Sequence, residues 1–473
     1  MVRTTKWQKA VMLVLIAVLM FSLAACGGNN NDGSKNTANS GQTSNNGGNS
    51  NASGDENAPA EEPAEDIELT FFTNNSDRTA GQGKMEQILI DKYMEENPNV
   101  TIKVETLSPD PQFQDKIKVY NASNKLPDII TAWGNESYLA PLVNNKALAE
   151  FDPSELGDHK FVEGSLDGFT IDGKLYGLPR NSDFFTLFYN KQIFADNGIE
   201  VPATQADLLK AFETLKANDI IPIAMDGRDA WVSGIWFDTM VQRVSGTWDT
   251  SKQAMDRSGS YDVQAVKDAA TNMMKWIDAG AFGEGFLNTD YGTARNLFGQ
   301  GKAAMYMMGQ WEMGMATDEN FPAEVRDNIG AMAFPAIDGG KGQTSDLTAW
   351  FGGGYAVSNN SEHKEAAMDF AKWMFMPENW AKGVWENGIT FPAQTYEAFI
   401  TGNETPVQND LSDLFNKAGS YSGTVSQDKF TPDTQKSYYD AIQKLEGGAL
   451  SPEEFAKEID QFADQSAQTK SAK

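Results

Sequence analysis

The sequence has one cysteine, Cys26, and two histidines, His159 and His363, in 473 residues. A lone thiol closes no intramolecular disulfide, and no cysteine cage for zinc can form. Neither histidine sits in an H-E-x-x-H pattern, so zincins and Cys–His nucleophiles are excluded as well. Positive charge is scarce: 38 Lys and Arg stand against 66 Asp and Glu, a net charge of −28. Nucleic-acid affinity rests on cationic contacts to phosphate, so that class of partner is excluded. Phosphate loops, dinucleotide fingerprints, nucleophile elbows in the folded body and EF-hand loops are all missing. Gly81-Gln82-Gly83 and Gly299-Gln300-Gly301-Lys302 are only fragments of such patterns. No cofactor and no metal is implied. Carboxylates are so plentiful that spacing singles out no acid–base pair.

No apolar run is long enough for a comfortable membrane span. The longest is Val11–Leu19, extended by Met20 and Phe21, behind a basic stretch with Arg3, Lys6 and Lys9. This reads as a secretory signal over 1–25. It ends in Leu23-Ala24-Ala25-Cys26, which looks like the lipobox of bacterial lipoproteins. That likeness implies a diacylglycerol on Cys26 and anchorage at the outer face of the cell membrane. Residues 27–66 contain 10 Asn, 7 Gly and 5 Ser. Such a stretch buries too little surface to offset its ordering entropy, so 26–66 is expected to be a disordered tether. A flexible chain of that length reaches about 35 Å.

From residue 67 the composition changes. Apolar residues make up 40% of the whole chain and aromatics 11%, enough for a sizeable core. Ile67-Glu68-Leu69-Thr70-Phe71 alternates like a strand. Met85, Ile88, Leu89, Tyr93 and Met94 recur at helical spacing before Pro98. Val100, Ile102 and Val104 alternate again, a helix is predicted near 112–122, and Pro127-Asp128-Ile129-Ile130 leads a third strand. Strand–helix–strand order at these lengths predicts an α/β fold with a parallel sheet. Ligands of such sheets bind outside the carboxyl ends of the strands. A second series follows: a helix through Leu208, Phe212 and Leu215, a strand at Ile220–Ile223, a helix from Val263 to Ile277, and a strand at Ala303–Met308. The last third reads as helical, with a capping box at Ser451-Pro452-Glu453-Glu454.

Tryptophans beside polar groups stand out. Trp133 follows the third strand. Trp231 and Trp236 lie close together after Asp229. Trp311 follows Gly309-Gln310, and Trp350 and Phe351 precede three glycines. A sugar ring packs its C–H face on flat aromatics while its hydroxyls require carboxylates and amides. Trp276 and Trp373, inside amphipathic helices, are expected in the core. Trp133, Trp311 and Trp350, flanked by Gly or Asn near strand ends, are expected at a ligand.

Several segments in order carry a resemblance: Pro127-Asp128-Ile129-Ile130, Gly173-Lys174-Leu175-Tyr176-Gly177-Leu178-Pro179, Phe188-Tyr189-Asn190-Lys191, Gly301–Met305 leading to Gly309-Gln310-Trp311, and Gly353–Ser358. Together with the lipobox, they make 67–473 resemble family 1 of the extracellular solute-binding proteins of ABC sugar importers, the group that includes maltose-binding protein. The resemblance implies two α/β lobes with a carbohydrate in the cleft, handed to transmembrane importer subunits by a monomer that is not an enzyme. It implies lobe one over 67–180 and 329–376, and lobe two over 181–328 and 377–473. It places Asn74, Asn75, Asp77 and Arg78 on sugar hydroxyls, with Trp133 and Asn135 after the third strand. Asp183 is placed at the first crossing. Trp231, with Trp236 as substitute, and Trp311 serve as stacking platforms, and Trp350 and Phe351 stand beside them. Lys436-Ser437-Tyr438-Tyr439 departs from the tryptophan expected there, against a maltodextrin subsite. Two other readings stay open: an enzyme acting on glycans, and a receptor of this fold for a non-sugar solute.

Overall fold

The computed structural model describes residues 65–471; the lipobox and Cys26 lie outside them. Ten strands build two sheets: β1 Ile67–Thr73, β2 Val100–Thr106, β3 Ile129–Trp133, β4 Leu178–Pro179, β5 Asp183–Asn190, β6 Ile221–Ala224, β7 Ala303–Gly309, β8 Ile329–Met332, β9 Ala349–Trp350 and β10 Gly353–Val357. The first sheet has the order β2-β1-β3-β10-β4 and the second β8-β5-β7-β6, with β9 beside β5. β2, β1 and β3 run parallel, and β10 and β4 continue that sheet in antiparallel pairing. The sheets are therefore mixed, where the strand–helix alternation predicted a parallel one. β10 returns from the other half of the molecule, and helix alternation carries no record of its direction.

Each sheet has its own core. Leu69, Phe71, Ile130, Tyr355 and Phe370 centre the first, and Phe188, Ile223, Trp236, Met305 and Phe455 the second. All seven residues of β7 are buried, as expected of a central strand covered on both faces. The helices used below are α1 Gly81–Glu96, α2 Asp110–Ala122, α3 Glu136–Asn144, α4 Trp231–Ser245, α5 Gln264–Asp278 and α6 Tyr291–Gly299. The final helix starts at Pro452. There Ser451 Oγ accepts from the Glu454 N–H at 3.2 Å, and Glu454 Oε2 from the Ser451 N–H at 2.9 Å, the reciprocal capping box.

The chain passes between the sheets three times. The first crossing is β4 to β5, across Arg180, Asn181 and Ser182. The second is β9 to β10, across Phe351 and Gly352. The third follows the helix Trp380–Glu386, whose Trp380 and Val384 join the first core, while its Trp385 and the later Phe391 join the second. This corrects the expected boundary at 329. Ile329–Met332 is strand β8, paired register for register with Asn190–Leu187 of β5 in the second sheet. Residues 329–350 therefore pack with the second half. The boundary at 376 moves too, because Trp380, Val384 and Ile389 still pack in the first core.

Candidate functional site

A cleft of about 1240 Å³ separates the carboxyl ends of the two sets of strands. From the first sheet it receives the loop after β1, the start of α2 and the β3–α3 turn. The second sheet contributes the start of α4, the start of α6 and the turn after β7. The first two crossings close its floor, and residues 425–443 line one side.

The second-half wall is an aromatic band. The Trp350 and Trp311 ring centroids are 5.9 Å apart at 73°, Trp311 and Trp231 are 6.0 Å apart at 40°, and Trp231 and Tyr291 are 6.2 Å apart at 24°. All four rings line the cleft and keep some exposure. Gly309 makes room for this arrangement: a Cβ there would fall inside the Trp311 ring. Behind the band, Arg295 pairs with Glu312 at 2.7 Å and with Asp318 at 2.9 Å, and Tyr291 donates its hydroxyl to Glu312. These bonds tie α6 to the turn that carries Trp311. On the first-half wall Trp133 packs edge-on against Tyr138 at 5.1 Å and Phe113 at 5.8 Å. Trp133 also lines the cleft, so stacking surfaces stand on both walls.

The polar groups are more committed than the sequence suggested. Asn74 donates to Asp110 Oδ1 at 2.8 Å, leaving Asn74 Oδ1 without a partner. The Asn75 amide donates to the buried Glu86, and Asp77 is tied to the Thr79 hydroxyl at 2.7 Å and its N–H at 2.8 Å. Asn135 caps α3, its Oδ1 accepting from the Tyr138 N–H at 2.9 Å and the Ser137 hydroxyl at 2.7 Å. All four line the cleft, and Asn74 keeps a free acceptor there.

Asp183 sits on the cleft floor. Its Oδ2 accepts from the N–H groups of Gly352 at 3.2 Å and Gly353 at 3.3 Å, and its Oδ1 from Gln310 at 3.2 Å. The Asn181 side chain is a further hydrogen-bond partner of this carboxylate. Burial raises the Asp183 carboxyl to about 6, against the lowering effect of Arg180. Arg180 itself is 6% exposed, and its Nε and Nη1 have no partner.

Three expected residues are placed elsewhere. Trp236 is 0% exposed and packs on Trp276 and Phe282 in the second core. Residues 231–245 are helical, and five positions carry Trp236 about 140° around the axis from Trp231. Arg78 turns to Glu86 and does not line the cleft, and Phe351 does not line it either.

Sequence reasoning missed Asp110, Tyr138, Asp229, Tyr291, Glu312, Asp428 and Tyr439, all on the cleft walls. Burial raises the Asp110 carboxyl, and Asp229 across the cleft adds to the rise. Burial pushes Asp428 up to about 7. Asp110 was legible as the residue before Pro111 at a helix start. Tyr439 was legible as one of two adjacent tyrosines, of which Tyr438 is fully buried. Among the described residues no three His, Cys, Asp or Glu side chains come together in a metal-holding group.

Comparison with known proteins places this geometry in a family. A family profile described as bacterial extracellular solute-binding protein matches residues 75–379. The multiple sugar-binding protein of Streptococcus mutans is 21% identical over 386 residues, covering 78% of this chain and 79% of the relative. The galactooligosaccharide-binding protein of Bacillus subtilis is 23% identical over 386 residues, covering 79% and 77%. A solved structure from work on xylan utilization by Caldanaerobius polysaccharolyticus superposes with a TM-score of 0.76 at 27% identity, covering 84% of this chain and 99% of that one. A chitin oligosaccharide binding protein shares the fold, with a TM-score of 0.74 at 24% identity over 84% of this chain and 98% of that one.

Proposed function

The chain belongs to the bacterial extracellular solute-binding proteins, and from that premise we propose that its cleft takes an oligosaccharide and closes on it. It acts as a binding protein and not as an enzyme. The observation that carries the sugar reading is the pair of aromatic walls: Trp350, Trp311, Trp231 and Tyr291 on one side, and Trp133 on the other. Sugar C–H faces pack on such rings. The free acceptor of Asn74 and the free donors of Arg180 suit hydroxyls that both donate and accept. A cleft of about 1240 Å³ accommodates more than one sugar ring. The names of the relatives above agree with this class.

Closure follows from the site being split between the lobes. A sugar bridging both walls binds the closed form better than the open one, and only such differential affinity shifts the equilibrium. The same reading includes a lipid on Cys26, a tether over 27–66 and delivery to importer transmembrane subunits by a monomer. Cys26→Ala is expected to release the protein from cells or leave it unprocessed; a processed form still held at the membrane would contradict the anchor.

The function is tested by calorimetric titration with xylotriose, galactotriose, raffinose, chitotriose and maltotriose. At least one of the first four is expected to bind with micromolar or tighter affinity. Binding by none of the five would overturn the reading.

A further inference from the structure

The turn that carries Trp311 also carries Gln310, which is completely buried and does not line the cleft. Its carboxamide is fully engaged. Nε2 donates to the Ser182 carbonyl at 2.8 Å and to Asp183 Oδ1 at 3.2 Å. Oε1 accepts from the Thr390 hydroxyl at 2.9 Å and from the Phe391 N–H at 3.1 Å. Ser182 and Asp183 stand at the first crossing, Thr390 and Phe391 at the third. Asp183 Oδ2 accepts in turn from Gly352 and Gly353 of the second crossing. One amide therefore reaches all three connections, directly or through a single carboxylate. The crossings also bond one another: the Ser182 N–H donates to the Phe391 carbonyl at 2.9 Å, and the Arg180 N–H to the Gly353 carbonyl at 2.8 Å.

We propose that Gln310 is the positioning residue of the hinge. It fastens the three crossings into one pivot and holds in place the Asp183 carboxylate that lines the cleft. Ligand affinity then depends on a side chain that touches no ligand. A glutamine suits this place because one planar group offers two donors and two acceptor sites. In a buried network each bond polarises the next, and an unmet donor or acceptor is costly. The pivot thereby fixes the geometry through which the walls approach. The affinity readout below rests on the sugar reading; the exchange readout does not.

The test uses Gln310→Glu, of the same shape, which turns acceptors toward the Ser182 carbonyl and the Asp183 carboxylate. In sugar-free protein, amide hydrogen exchange at Gly352 and Gly353 is expected to quicken by about tenfold or more, with Leu187 in mid-β5 unchanged. Xylotriose affinity, with raffinose in parallel, is expected to fall by about tenfold or more near pH 8 relative to wild type. Near pH 5 the introduced carboxyl regains a proton and can donate, so the deficit should shrink to about threefold. Asp183, Arg180 and Asp428 face the pivot in both proteins, so the variant-to-wild-type ratio reads what the introduced carboxyl adds, including its coupling to Asp183 at hydrogen-bond distance. Gln310→Met fills similar space without donors and should lose affinity at both pH values. A Gln310→Glu deficit that is the same at both pH values, or unchanged exchange at Gly352 and Gly353 in that variant, would overturn the proposal. If neither sugar binds wild type, the sugar reading fails while the exchange result still decides this one. Thr390→Val, a milder change for the case where Gln310→Glu does not fold, should quicken exchange at the untouched Gly352 and Gly353 by about threefold. Unchanged exchange there would equally refute the coupling.

Discussion

At the scale of single residues, burial separates tryptophans that look alike in sequence. Trp231 and Trp236 share one short segment, yet one ring meets the cleft and the other is 0% exposed. Trp236→Ala is expected to cost about 3–5 kcal/mol of stability, as for other buried aromatics, with binding intact in the folded fraction. Trp311→Ala should reverse that pattern, with sugar affinity down at least about tenfold and little change in denaturant midpoint. Paired titration and urea melts distinguish the two. Glu446 makes a different point. It is 3% exposed, and burial pushes its carboxyl up to about 8 with only a side-chain hydrogen bond to Ser233 in opposition. Its folded value lies above its unfolded one, so the folded state holds the extra proton. The associated stability is full below about pH 4.5 and is lost as pH rises toward about 8. Glu446→Gln should flatten the fall of the urea midpoint between those limits; an unchanged slope would show that Glu446 is not the group that titrates. Nothing in sequence spacing marks Glu446, because a glutamate near a helix end is ordinarily solvated.

At the scale of elements, strands and helices were legible where their period was strong. β1, β2, β7 and α5 fall where alternation or 3.6-residue spacing placed them. Trp133 and Trp311 could be singled out because glycine or asparagine beside a strand end marks a turn. Direction and partnership were not legible. The placement of β8 depends on pairing with β5, more than a hundred positions earlier in the chain, which no local pattern encodes. The start of α4 was hidden because Asp226 and Asp229 look like loop residues. In the structure the Asp229 N–H donates to Asp226 Oδ1 at 3.2 Å, closing the turn from which Trp231 emerges. Gly309 yields a prediction of the same kind. Gly309→Ala puts a methyl into the space of the Trp311 ring. The ring must move, so sugar affinity should drop by at least about tenfold while the sheet stays folded. The change in intrinsic fluorescence that Gly309→Ala produces, compared with the same change in a Trp311→Phe background, is the direct check: no Trp311-dependent change and unaltered binding would show that the ring tolerates the methyl.

At the scale of the whole molecule, three crossings joined by buried hydrogen bonds connect two cores that each fold around their own sheet. Under the proposed function, a sugar stacked on both walls is the link between the lobes. Bound sugar at a hundred times its dissociation constant should then add about 2.7 kcal/mol of stability. The measurement that bears most directly on this account is small-angle X-ray scattering, with and without saturating amounts of the trisaccharide that binds best in the titrations. The account predicts a smaller radius of gyration with sugar, and a loss of that change in Trp311→Ala at the same sugar concentration. Sugar binding with an identical scattering profile would contradict it.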